Sequence, residues 1–154
     1  MAARKPFRYT VLLRVRKLQE DQKAFELAQV QREIRNAVQE RDFILQEQRR
    51  VLQEASEVLQ RPFAGNPVGR YYQYERHLAR RAVEKDALIA QKRSEAERRR
   101  DALEAAMRQK RVVERLQERH EAAEQADQVQ AEQRMTDEVA VNQAALKRGR
   151  KTKA

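Results

Sequence analysis

Few side chains in this sequence are of the types that usually carry out catalysis or bind metals. The histidines are His77 and His120, the serines are Ser56 and Ser94, and cysteine is absent. Neither histidine stands in a metal-ligand pattern, neither serine lies next to a histidine, and no glycine-rich phosphate loop is present. The many carboxylates mix with Arg and Lys at helical spacing, which is typical of solvated helix faces. The sequence therefore predicts no catalytic, metal-binding or cofactor-binding residue, no cofactor, and a protein that is not an enzyme.

The composition favours long helices over a globular core. Charged residues make up 38% of the 154-residue chain, aromatic residues 5%, and Trp is absent. A thin apolar stripe can join two helices but cannot fill a wide interior. We therefore expect an all-α fold without an interior pocket.

Apolar residues in the first part of the chain repeat with the period of a coiled coil. Two interleaved rows at seven-residue spacing are Val30, Ala37, Ile44, Val51 and Val58, and Val38, Leu45, Leu52 and Leu59. Together they predict one helix from about residue 8 to Arg61, with both rows on the face that meets a partner helix.

The stretch RPFAGNPVGRYY, residues 61–72, interrupts this helical pattern. Pro62 disfavours helix in the residue before it, whereas Asn66 and Pro67 match an N-cap and a first helical residue. We predict a turn over residues 62–66 and a second helix from Pro67 to about Leu146. A kink in one continuous helix is the alternative, and it is disfavoured because stop and start signals occur together.

Basic residues interrupt the apolar stripe of the second helix at Lys85, Lys92, Arg99 and Lys110. Their long aliphatic stems can cover a seam while the charged heads stay in water. We therefore predict an imperfect seam of modest stability.

The two predicted helices differ in length. At 1.5 Å per residue they measure roughly 80 Å and roughly 115–120 Å. A fold about residue 65 places Phe7 and Tyr9 opposite residues near 121–123, so the second helix should overhang from about residue 123. The prediction is one coiled-coil domain over residues 1–154, an antiparallel two-helix hairpin with an overhanging C-terminal helix and a basic tail at 147–154. Candidate contact residues in the overhang are Val129, Met135, Val139, Val141 and Leu146.

Three tyrosines follow the predicted turn, at Tyr71, Tyr72 and Tyr74. Neighbouring helical residues are rotated by about 100°, so these rings cannot all face the same partner helix. At least one should face outward, where Tyr is common in interfaces. The turn end is therefore a second candidate contact surface.

The net charge of +10 and the isoelectric point near 10.3 permit an anionic partner. Nucleic acid, anionic lipid and acidic protein all fit this charge. The aromatic residues do not alternate with the Arg runs, so a stacking platform for nucleic acid is not expected. We predict no specific nucleic-acid binding, no membrane span, no secretory signal, and at most peripheral contact of the basic tail with a membrane.

The N-terminal stretch FRYTVLLRVRKLQEDQKAFELAQVQREI resembles the start of the FliJ family of flagellar export proteins. The stretches YYQYERHLARRAVEKDALIAQKR, RRDALEAAMRQKRVVERLQERH and EQRMTDEVA are similar to the middle and the end of that family. The resemblance covers nearly the whole chain, and it lies in the order and spacing of motifs that are weak individually.

This resemblance implies a cytoplasmic component of the flagellar type III export apparatus, peripheral on the cytoplasmic side of the membrane at the flagellar base. Members form antiparallel two-helix coiled coils similar to the stalk of rotary ATPases. The implied partners are the hexamer of the flagellar export ATPase, the cytoplasmic domain of the export gate, and flagellar export chaperones that the coil escorts.

A few residues carry implied roles. Asp137 and Glu138 match the family's terminal pair and would face the ATPase. We place Val11, Val15, Met135 and Val139 on the same ATPase-facing end. Tyr74 and Leu78 match a spacing on the surface that meets the export gate, while Arg81 and Ala82 compete for a neighbouring position.

Other functions remain open on the sequence alone. The stalk protein of a virulence type III injectisome would have the same fold, and its genomic neighbours would distinguish it. A structural coiled-coil scaffold would self-associate and leave every ATPase unaffected.

Overall fold

Two long α-helices form the computed structural model, which describes residues 9–61 and 67–151. Helix α1 spans Thr10–Leu59 and helix α2 spans Val68–Lys151. The described ranges contain no strand, and the two helices pack against each other. The predicted all-α helical hairpin is therefore confirmed. The predicted turn at 62–66 lies outside the described residues.

The helix ends agree only partly with the predicted bounds. Helix α1 closes with two hydrogen bonds of the tighter i to i+3 type, from the amides of Gln60 and Arg61 to the carbonyls of Glu57 and Val58. Helix α2 continues five residues beyond Leu146. Lys and Arg are good helix formers and are favoured near a helix C-terminus, which accounts for this extension into the basic tail.

The chain divides into two compact units. The terminal unit comprises Met1–Leu18 and Arg108–Ala154, and the central unit comprises Gln19–Met107. Each contains a piece of α1 and a piece of α2.

The core of the central unit is a single layer of apolar side chains between the helices. Ile44, Val51, Leu78 and Ala82 form its buried cluster, with Leu45 and Tyr71 packed against it. The first of the two predicted rows is confirmed as the buried row, from Val30 to Val51. Other buried residues of this unit are Ala37, Ala55, Ile89, Ala96 and Ala106.

The second predicted row lies at the margin of the seam rather than within it. Val38 and Leu45 are only half-buried, and Leu52 and Leu59 are exposed. A coiled-coil seam combines rows three and four residues apart, whereas these two rows are one residue apart and point about 100° away from each other. The second row of the seam consists of Ile34, Arg41, Gln48 and Ala55. Because two of these residues are polar, apolar spacing in the sequence did not identify this row.

A row of charges replaces apolar residues in the middle of this seam. Lys92 Nζ lies 2.7 Å from a carboxylate oxygen of Glu33, and Lys85 pairs with Glu40. Lys85 and Lys92 keep 27% and 28% of their side chains exposed, so their stems cover the seam as predicted.

The terminal unit shows the same antiparallel alignment over its shorter paired part. Arg16 Nη1 donates a hydrogen bond of 2.6 Å to Gln109 Oε1. Seven residues before Arg16 is Tyr9, and seven residues after Gln109 is Leu116, so Tyr9 lies level with Leu116. The register predicted from a fold about residue 65 was therefore wrong by several residues, because the helices pair about a point earlier in the chain. The prediction for Phe7 lies outside the described residues.

Candidate partner-binding surfaces

Within the described ranges, no group of three His, Asp or Glu side chains is placed to hold a metal ion. The ring of His77 stacks on the ring of Tyr74, with centroids 6.4 Å apart and planes inclined by 20°. In the described part of the chain, neither helix offers an apolar stretch that could cross a membrane.

One surface is an open groove between α1 and α2 in the central unit, with a volume of about 990 Å³. Ile44 and Leu78 form its floor, since both are almost fully buried. Phe43 and Tyr74 form its rim, with 68% and 46% of each residue exposed. The groove therefore offers two aromatic rings above an aliphatic floor. Its polar lining consists of Gln39, Glu40, Gln46, Glu47, Arg50 and Arg81.

Fixed charges of both signs line the groove. Arg50 Nη2 donates a hydrogen bond of 2.5 Å to Glu47, and this bond is the main reason why the pKa of Arg50 is raised. The pKa of Glu40 is lowered, chiefly by the hydrogen bond that Lys85 donates to it. The raised pKa of Arg50 and the lowered pKa of Glu40 keep both side chains charged near neutral pH, so the groove carries charges of both signs beside its apolar floor.

The structure brings the two predicted gate residues into this groove. Tyr74 is accessible at the rim, whereas Leu78 is only 2% exposed and belongs to the core. Arg81 and Ala82 were the two candidates for the neighbouring position on that surface. Arg81 lines the groove, whereas Ala82 is buried in the core.

Sequence reasoning missed Phe43 as a member of this surface. Phe43 directly precedes Ile44, so its ring points about 100° away from the core row. An aromatic residue beside a heptad row is a signal that could have identified it.

The predicted ATPase-facing residues fall into two separate groups of the terminal unit. Val11 and Val15 are exposed on α1, and Val15 lies level with Lys110 in the register set by Arg16 and Gln109. Met135 lies 25 residues beyond Lys110 on α2, which is about 37 Å along a helix. The structure therefore does not bring the two groups together. The second group, all exposed, consists of Met135, Asp137, Glu138 and Val139.

Helix α2 is exposed on every side from residue 125 to residue 148. Residues 121–146 contain six acidic side chains and one basic side chain, Arg134. Met135 and Val139 are one turn apart and share one helix face, with 68% and 55% of each residue exposed. This segment is an acidic helix with an uncovered apolar face.

The family model of the flagellar FliJ protein matches residues 5–149 of the chain. No curated protein and no solved structure matches. The match covers nearly the whole chain, which therefore belongs to the flagellar FliJ protein family, a family of non-catalytic components associated with flagellar protein export.

Proposed function

We propose that this protein is a stalk-like coiled coil of the bacterial flagellar type III export apparatus, in which residues 1–154 act as one domain. It binds the hexameric export ATPase through the acidic end of α2, binds the cytoplasmic domain of the export gate through the groove, and escorts export chaperones. The observation that carries the proposal is the acidic segment of α2 from residue 121 to residue 146, whose apolar residues are all exposed.

The acidic segment supports the ATPase part of the proposal. Exposed apolar residues that share one helix face are characteristic of protein interfaces. Met135 and Val139 supply such a face, while Asp137 and Glu138 place charge beside it. A single helix in a ring of six subunits meets each subunit differently, so it biases their nucleotide states in turn. Such a bias requires that the helix bind one subunit conformation more tightly than another.

The groove supports the gate part of the proposal. Phe43 and Tyr74 are large, rigid side chains, and aromatic residues are the usual anchors of protein interfaces. Leu78 shapes the floor from within the core rather than as a free contact.

Chaperone escort and location complete the proposal without an assigned surface. Both are supported by the membership of the chain in a family of flagellar export components. A protein that contacts the export gate from the cytoplasm would be found peripherally on the membrane at the flagellar base.

The ATPase part is tested with the export ATPase of the same organism at physiological salt. Met135→Asp with Val139→Asp should abolish stimulation of ATP hydrolysis and of hexamer assembly, because two charges replace the apolar face. Gln130→Asp with Gln133→Asp adds the same charge on the opposite face of the same helix and should leave stimulation intact. Deletion of residues 123–154 should act like the first pair. Full stimulation by the deletion variant would overturn this assignment.

The gate part is tested by binding to the purified cytoplasmic domain of the export gate. Phe43→Ser with Tyr74→Ser should weaken binding by about tenfold or more, since both anchors are lost. Phe25→Ser removes an aromatic ring that is similarly exposed, at 66%, but lies outside the groove, and it should have little effect. Equal loss of binding in Phe25→Ser would show that the groove is not the site.

A further inference from the structure

A row of aliphatic side chains runs along the outside of α1 in the central unit. Val38, Leu45, Leu52 and Leu59 stand seven residues apart, and Leu52 and Leu59 are 43% and 59% exposed. Val38 and Leu45 lie half-buried at the margin of the seam, where Leu45 packs against the buried cluster, and no residue of the row lines the groove. We call this row the α1 edge.

The α1 edge and the groove lie on opposite sides of the helix pair. Ile44 points at α2, and its neighbours Phe43 and Leu45 are each rotated by about 100° from it, in opposite senses. Phe43 lines the groove. Leu45 and the rest of its row therefore face the other side.

Helix α2 contributes to the same side. Tyr72, Ala79 and Asp86 stand seven residues apart, one position after the residues that face α1. Asp86 accepts a hydrogen bond of 3.3 Å from Arg41 of α1, which links the two helices along this side. Gln48 donates a hydrogen bond to Glu75. Because the helices are antiparallel, Leu52, four residues after Gln48, is nearly level with Tyr71, four residues before Glu75, and with its neighbour Tyr72. The exposed ring of Tyr72 therefore extends the apolar surface beside Leu52.

The spacing of the α1 edge identifies the kind of partner that fits it. From Val38 to Leu59 the row extends over 21 residues, or about 32 Å. An apolar row with a seven-residue period packs continuously along a second helix that runs beside it. The fitting partner is therefore an amphipathic helix.

The charges around the α1 edge determine which sign of charge the partner helix should carry. Arg35, Arg49 and Arg76 are exposed beside it, and none of them makes an ion pair within the described ranges. The carboxylates nearby, Asp42 and Asp86, are both held by Arg41, at 2.7 Å and 3.3 Å. The border of the edge is thus left positive.

We propose that the α1 edge is a docking site for an acidic amphipathic helix of another protein, separate from the groove. The partner helix would place an apolar heptad row on Leu45, Leu52 and Leu59, and Glu or Asp beside the three arginines. A second copy of this chain fits poorly. Antiparallel pairing of the row with itself sets Leu45 against Leu52 and brings Arg49 next to its own counterpart, where like charges repel.

The test uses two synthetic helical peptides of about four heptads, each with Leu at the seam positions. One carries Glu at all flanking positions and the other carries Lys. Binding to the full chain is measured by fluorescence anisotropy at physiological salt. The Glu peptide should bind, and the Lys peptide should bind at least about tenfold more weakly. Equal binding of both peptides, or no binding of the Glu peptide, would overturn the proposal.

Variants of the chain show which surface binds the Glu peptide. Leu52→Gln with Leu59→Gln should weaken binding of the Glu peptide by about tenfold or more, whereas Phe43→Ser on the opposite side should not. Arg35→Glu, Arg49→Glu and Arg76→Glu together should reverse the preference toward the Lys peptide, and these exposed substitutions serve even if the leucine variant loses helix by circular dichroism. Unchanged peptide preference in the arginine variant would refute the proposal. So would a dimer in sedimentation that Leu52→Gln disperses, because the edge would then be covered by a second copy.

Discussion

Arg99 on α2 donates a hydrogen bond of 2.6 Å to Glu26, which lies 73 residues earlier on α1. One heptad further along the seam Lys92 meets Glu33, and one heptad beyond that Lys85 meets Glu40. Because both rows repeat every seven residues, the three contacts align the helices antiparallel. The same rows would also match after a slip of one heptad, because Glu47 continues the acidic row. Contacts that do not repeat are needed to exclude that slip, and Arg41 with Asp86 is one of them.

Reversing one charge of this row should destabilise the helix pair, and reversing the charge of its partner as well should restore stability. Lys92→Glu should lower the melting temperature by a few degrees, because it places a carboxylate against Glu33 in a partly covered seam. Adding Glu33→Lys should restore most of the loss, since the pair is formed again with its ends exchanged. Arg93→Glu makes the same charge change at an exposed neighbour and should matter less. Thermal melts by circular dichroism measure all three variants, and a double variant no better than Lys92→Glu would contradict the pairing.

The acidic partners of this row predict how stability depends on pH. The pKa of Glu26 lies below its ordinary value of 4.5, first because Lys23 donates a hydrogen bond to it and also because of Arg99. The pKa of Glu40 is lowered by the hydrogen bond from Lys85. A lowered pKa in the folded state stabilises the fold above the ordinary pKa, and this contribution is lost as the pH falls through the folded value.

We therefore expect a constant melting temperature between about pH 7 and pH 5 and a decline below about pH 4.5. Glu26→Gln with Glu40→Gln should lower stability at neutral pH and flatten the acid decline. Glu84→Gln removes an exposed carboxylate that has no ion-pair partner in the described part of the chain, and it serves as the control. An acid decline that is as steep in the double variant as in the wild type would exclude these carboxylates as its source.

Ile44 and Phe43 are sequence neighbours with opposite roles, which a pair of substitutions should separate. Ile44 is 3% exposed in the buried cluster, so Ile44→Ala should lower the free energy of unfolding by about 2–5 kcal/mol. Phe43 is 68% exposed, so Phe43→Ala should change it by less than about 1 kcal/mol. Urea unfolding measures both variants. Similar losses in the two would mean that the phenylalanine ring is packed and that the groove is not open in solution.

These neighbours also show how far the sequence determines the fold. The period of seven identified the first helix and the buried row through Ile44, because a face with that period can bury a continuous stripe. The period alone did not distinguish the true second row, which contains Arg41 and Gln48, from the more apolar row of Leu45 and Leu52. Apolar side chains tend to be buried, but either the second helix or a partner protein can bury them. Apolar character alone therefore does not identify the row that faces the second helix.

The candidate surfaces were predictable to different degrees. The exposed acidic end of α2 follows from the unequal helix lengths, since every side chain is exposed from residue 125, close to the predicted start near residue 123. The groove required knowledge of which residues of α1 lie beside Tyr74, and that depends on the register. The register depends in turn on contacts such as that of Gln48 with Glu75, which sequence spacing does not reveal.

The final prediction concerns the exposed end of α2 in solution. A helix with no buried side chain is held by its backbone hydrogen bonds and local propensity alone, which are marginal in water. Amides from residue 125 to residue 148 should therefore exchange with deuterium much faster than those around Ile44 and Leu78, because local opening there exposes no apolar core. Addition of the export ATPase should slow exchange in this segment, since binding removes the open states. The Met135→Asp, Val139→Asp variant should show the same fast exchange with and without the ATPase. Protection by the ATPase that appears instead in the central unit would place the contact elsewhere and leave the acidic segment without its proposed partner.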